Sequence, residues 1–237
     1  MTVAVVHDYL IERGRSERLV LQLAGALERP VVLAAVYCPE SSYPELEELD
    51  VVAGRVVGAG AAARLSRRGA RQAEVLRSFD LSGFDRALVV SSGIAHHARH
   101  PHSAVYWDIP PAPPYDPASG IGGGEPAIRP SLAGSRRWRR RDVAAATAHR
   151  LHAAPSEAAA ARLRMLYGIE ATVLAPLDPV DSVDSVGGTT TFAERVTAWS
   201  AGSEGSPPTL GATAQATGSG AGFARSRPRA VAGTWAG

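Results

Sequence analysis

Residues 3–27 read VAVVHDYLIERGRSERLVLQLAGAL: a short apolar run, a polar turn with one glycine, then a segment with a single apolar face. Val3 to Val6 make the run, which His7 and Asp8 close. From Ser16 to Leu27, residues Leu19, Val20, Leu23, Ala24 and Leu27 recur at helical spacing. Ser16 is placed to cap that helix, with Glu17 favourable in its first turn. A buried-type strand turning into an amphipathic helix is the first half of a βαβ unit.

The same alternation continues outward from this stretch. Apolar runs at 31–36, 51–57, 86–91, 104–107, 151–154 and 171–174 predict further strands. Helical patterns fall at 62–79, at 136–148, and from a Ser156 cap through Tyr167 to a Gly168 stop. Between Ile109 and Pro130 the chain is rich in proline and glycine, which predicts a long loop. The expected fold is α/β: one Rossmann-like parallel-sheet domain over residues 1–181, with its site at the carboxyl ends of the strands.

From about Val186 the composition changes to Gly, Ala, Ser, Thr and Pro, with Leu210 as the one leucine. Such a stretch buries too little apolar surface to offset its ordering entropy, so residues 182–237 are expected to form a largely disordered tail. All 25 basic residues are arginine, and asparagine is absent, a bias that points to GC-rich coding DNA. The tail is then either a natural flexible extension or an out-of-frame translation, and its composition favours the second.

Bulk properties exclude several classes. A net charge of +2 across 237 residues is too small for a nucleic-acid binder by electrostatics alone. The one cysteine, Cys38, rules out an intrachain disulfide and fits a reducing compartment. No apolar stretch approaches the roughly 18 residues of a membrane span, and the N-terminus lacks the pattern of a signal peptide. A cytoplasmic location is expected.

Four segments in order, residues 3–27, FDLSGFDRALVVSSG at 79–93, AVYWDIPPAPPYD at 104–116 and RRRDVAAATAHRLHAAPSEAAAARLRMLYGIEATVLAPLDPVD at 139–181, carry a resemblance. Together they resemble the N-terminal half of family 4 glycosyltransferases of the GT-B fold, in the bacterial mannosyltransferase-like branch. The resemblance covers about three quarters of the chain. It implies an acceptor-binding domain, with the C-terminal domain that grips the nucleotide sugar absent. In intact relatives it implies transfer of a hexose to a polysaccharide or lipid-linked acceptor, without a metal or other cofactor. The chain is therefore expected to turn over little alone. The alternatives are a non-catalytic Rossmann-like binding module, an acceptor half that pairs with a separate donor-domain protein, or the product of a decayed gene.

Candidate site residues follow from these segments. Gly14 lies in the first strand–helix turn, where a glycine lets a ligand approach and the helix N-terminus favours an anionic diphosphate. Relatives carry a second glycine where this chain has Arg15, whose side chain would crowd the cleft. Glu17 and Ser92 complete the expected substrate contacts. Asp108 replaces a histidine thought to line the reaction centre in relatives, and is the candidate reaction-centre group. Ala112 replaces an arginine. His96, His97, His100 and His102 are close in sequence but match no metal motif, so no metal is expected. The run Arg136, Arg137, Trp138, Arg139, Arg140, Arg141 reads as a solvated helix start with the tryptophan turned inward, or as a peripheral contact with an anionic membrane.

Overall fold

The computed structural model of the chain describes residues 2–66, 69–108 and 136–175, together with Val196 and Ala198. Seven strands form one sheet: β1 (Val3–Leu10), β2 (Val31–Tyr37), β3 (Asp50–Val56), β4 (Arg86–Ser91), β5 (Ser103–Trp107), β6 (Leu151–Ala154) and β7 (Thr172–Val173). The order is β3-β2-β1-β4-β5-β6-β7, and every pairing is parallel. Five helices accompany it: α1 (Arg15–Gly25), α2 (Ala59–Ser66), α3 (Gly69–Ser78), α4 (Arg136–Ala146) and α5 (Glu157–Tyr167). This is the α/β Rossmann-like domain expected from the alternation of patterns.

A strand buried on both faces reads as a continuous apolar run, because each successive side chain enters the opposite layer. In β4, Val89 faces one layer, whereas Leu88 and Val90 face the other. The first layer is closed by α3, α4 and α5 through Leu76, Trp138 and Leu163. The second is closed over β1, β2 and β4 by α1, through Leu19, Val20 and Leu23.

Several boundaries differ from those read off the sequence. β1 continues past Val6 to Leu10, so His7 and Asp8 are strand residues, with His7 opposite Ala34 of β2 and Val90 of β4. The single helix expected over 62–79 is two helices, α2 and α3, on either side of residues 67–68. The cap of α1 falls two residues earlier than expected: it is Gly14, no side chain caps the helix, and Ser16 is turned elsewhere. The last helix has the expected ends. Ser156 Oγ accepts the Ala159 amide at 3.2 Å, and Gly168 adopts the left-handed conformation that stops α5. The long loop at 109–130 and Ala112 lie outside the described residues, as does the tail 182–237 apart from Val196 and Ala198.

Gly54 in the edge strand β3 marks a close approach. A Cβ there would collide with Val75 Cγ1 of α3 and lie 3.0 Å from the Ala35 carbonyl oxygen of β2. Gly54→Ala is expected to destabilise the domain by about 1–3 kcal/mol, because the backbone carbonyl cannot move aside. A urea titration of the two proteins checks this.

Candidate functional site

The helices after β3 lie on the opposite side of the sheet from α1. The carboxyl ends of β1 and β4 therefore border the crevice that forms where a doubly wound sheet changes direction. Asp8 sits there on β1, buried. Its Oδ2 accepts the Ser92 amide at 2.5 Å, and its Oδ1 accepts the amides of Ile94 and Ala95. One carboxylate thus satisfies three backbone donors of the turn that leaves β4. Beside it, His7 Nδ1 donates to the Val90 carbonyl at 2.8 Å.

The turn held by Asp8 delivers Ser92 to a chain of hydrogen bonds. Ser92 Oγ donates to Ser16 Oγ at 3.0 Å, and Ser16 Oγ donates to Asp108 Oδ2 at 2.5 Å. Ser16 comes from the first turn of α1 and Asp108 from the end of β5, 92 residues apart in sequence. The exposed Arg15 reaches in from solvent, with its Nε 3.6 Å from Asp108 Oδ1. Asp108 is 5% exposed, and its Oδ1 accepts no hydrogen bond among the described residues. Ser16 is therefore a site residue rather than the helix cap.

Gly14 and Glu17 lie at the same turn, but the space beside the glycine is already filled. A Cβ on Gly14 would meet Glu17 Oε2 at 2.6 Å and Glu12 Oε1 at 3.1 Å. Burial raises the Glu17 carboxyl above its usual range, opposed by the charge of His7. The first turn of α1 is thus lined by the chain's own carboxylates, which compete with any anion for the positive end of the helix. Glu17 and Glu12 thus stand beside the turn at which a diphosphate is expected from the sequence. Arg15 leans toward Asp108.

A second polar group lies under the first layer of helices. His96 and His97 stand on a 3-10 turn, Ala95–His97, and both are 0% exposed. Their Nε2 atoms each lie 3.0 Å from Asp142 Oδ1, and Tyr167 donates to Asp142 Oδ2 at 2.8 Å. Two imidazoles and a carboxylate within 4.8 Å are a donor set that a first-row divalent metal takes. Here the carboxylate is satisfied by the two rings and the phenol, so the set holds itself together. Burial opposes ionisation of Asp142, but the hydrogen bonds from His96 and His97 outweigh it and hold its carboxyl below the usual range. Around it, Trp138 stacks on His97 with ring centres 5.2 Å apart, and Trp107 contacts both His96 and Tyr167. His149 links Ser103 to the His96 carbonyl, at 2.7 Å on each nitrogen.

The four histidines grouped by sequence therefore part company. His96 and His97 enter the core, His100 is also buried but donates to the Phe84 carbonyl at 3.0 Å, and His102 is exposed. The arginine run opens α4 with Trp138 turned inward and Arg137, Arg139, Arg140 and Arg141 exposed; Arg141 pairs with Glu74 at 3.5 Å. No helix of the described residues is long and apolar enough to cross a membrane. Sequence reasoning missed Asp8, Ser16 as a contact and Asp142, because their partners lie on other elements. No family model matches the chain, and neither a curated protein nor a solved structure is found to be similar to it.

Two outcomes follow from these bonds. Asp8→Ala leaves three amides of the β4 turn without an acceptor, two of them on the buried residues Ile94 and Ala95, and is expected to cost about 3 kcal/mol or more, read as a drop in the urea midpoint. Burial lowers His97, His149 and His152 to about 4 each. Unfolded, each would titrate near 6.5, so the unfolded chain takes up more protons between these values. Stability is then fully present above about pH 6.5 and falls as the pH drops toward 4. Urea midpoints at pH 7.5, 6 and 4.5 check the sign; a flat series contradicts it.

Proposed function

We propose that the chain is the acceptor-side domain of a GT-B-type glycosyltransferase and that the Asp108 crevice receives a hydroxyl-bearing sugar. The observation that carries this reading is the buried Asp108 carboxylate, held on one oxygen by Ser16 and with the other lacking a hydrogen bond among the described residues. A carboxylate oxygen beside two hydroxyls and an arginine suits a donor such as a sugar hydroxyl. It suits a phosphate poorly, since Asp108, Glu17 and Glu12 surround the same turn. The strand order supports the reading, because it is that of doubly wound domains that bind ligands at this edge. The four segments that resemble family 4 glycosyltransferases support it as well: they cover β1–α1, β4, β5 and the α4–β7 stretch.

In this proposal Asp108 accepts a hydrogen bond from an acceptor hydroxyl and orients it. Ser16 and Ser92 fix the carboxylate, and Arg15 balances its charge from the solvent side. A donor domain would supply the nucleotide sugar and the groups that stabilise its departing diphosphate. The described residues hold one sheet and no second Rossmann-like domain, so the chain alone is expected to turn over little.

Saturation-transfer NMR with methyl hexosides and hexose disaccharides tests the binding, and hydrolysis of UDP-glucose and GDP-mannose tests the turnover. The expected result is weak glycoside binding, reduced about tenfold or more in Asp108→Ala with the fold retained, and no turnover. Glycoside binding that is absent, or untouched by Asp108→Ala, overturns the acceptor reading. Turnover by the chain alone overturns the division between halves.

A further inference from the structure

The two layers over the sheet are closed in different ways. Strands β1 to β3 are added in one direction, and the right-handed rule places α1 on the second layer. From β4 onward strands are added in the other direction, so α4 and α5 fall on the first layer. Among the described residues, no crossover helix lies over β5 and β6 on the second layer. Among the described helices of that layer, α1 packs chiefly on β1, β2 and β4. Yet Ala104, Tyr106 and Ala153, which face this side from β5 and β6, are as buried as the rest of the core.

One residue far along the chain joins this layer. Val196 is helical, 0% exposed, and part of the same packed cluster as Tyr106 and Ala153. Ala198, two residues on, is helical and exposed. On a helix those two positions point to nearly opposite sides. The surrounding sequence, TFAERVTAWS at 191–200, repeats large apolar residues at Phe192, Val196 and Trp199. That spacing of four and three draws one narrow helical stripe, with Glu194, Thr197 and Ala198 off it.

We infer that the segment carrying Val196 covers the second layer over β5 and β6, with Val196 as its anchor and with Phe192 and Trp199 sharing its stripe in the sequence pattern. The occupant of this apolar face is then a segment of the chain itself. The stretch that composition alone assigns to a disordered tail contains a piece that completes the domain. The inference rests on the packing of the sheet and stands apart from any glycosyltransferase reading.

The test compares the full chain with versions ending at residue 203 and at residue 186, and with Val196→Asp and Ala198→Asp in the full chain. Urea midpoints and hydrogen exchange of the β5 and β6 peptides are the readouts. Ending at 203 is expected to change neither. Ending at 186, and Val196→Asp, are expected to lower the midpoint by about 1 M or more and to speed exchange in β5 and β6 at least about tenfold. Ala198→Asp is expected to leave both near the parent values. If the chain ending at 186 does not fold, the paired point variants carry the decision. A chain ending at 186 with parental stability, or equal effects of the two aspartates, overturns the inference.

Discussion

One carboxylate joins the two halves of this sheet at the place where its winding reverses. Asp8 lies on β1, and its three donors lie on the turn that leaves β4. Here the carboxylate acts as a hook, because it accepts three amides of the turn by which the chain leaves β4. Ile94 and Ala95 are almost fully enclosed, so water cannot satisfy them. The carboxylate does so, and in doing so fixes two directions at once. Ser92 is presented outward to Ser16 and Asp108, while His96 and His97 are turned inward to Asp142. The crevice and the buried histidines are both consequences of where that turn is held.

How much of this was legible in the sequence depended on how local the physics was. Apolar runs marked all seven strands, the partly exposed edge strands β3 and β7 included, with β1 only half captured because His7 and Asp8 interrupt it. The ends of α5 were readable because Ser156 and Gly168 act within one turn of themselves. Ser16 looked like another cap, since serine before an amphipathic segment usually is one. Its actual partner, Asp108, is 92 residues away, and nothing near Ser16 announces it. Asp142 was hidden for the same reason, at the end of an arginine-rich stretch whose composition suggests a solvated surface. The histidines were noticed by proximity in sequence, but a 3-10 turn sends two of them inward and leaves His102 at the surface.

The two polar groups are built for different work, and enclosure distinguishes them. The histidine group is sealed by Trp107, Trp138 and Tyr167, and each of its members except His97 finds a partner for both polar ends. A group so enclosed gains its stability from being complete, and a single proton on a ring disturbs it. The crevice is the reverse. Asp108 is held firmly on one oxygen, yet the other faces an exposed arginine across 3.6 Å, longer than a hydrogen bond.

That asymmetry bears on what such a crevice can select. A helix N-terminus attracts an anion by about 0.3–1 kcal/mol at exposed sites. At α1 this attraction is already spent on Glu17 in the first turn, and Glu12 and Asp108 add negative charge on either side. A dianionic phosphate entering here would meet like charges at close range, offset in part by Arg15. A hydroxyl meets no such opposition: it can donate to a carboxylate and accept from a serine with no net charge to desolvate. In the proposed reading, Asp108 thus moves the balance of the crevice toward neutral, hydrogen-bond-donating ligands. On that reading Asp108 bears on what the crevice can hold more directly than on how it is built.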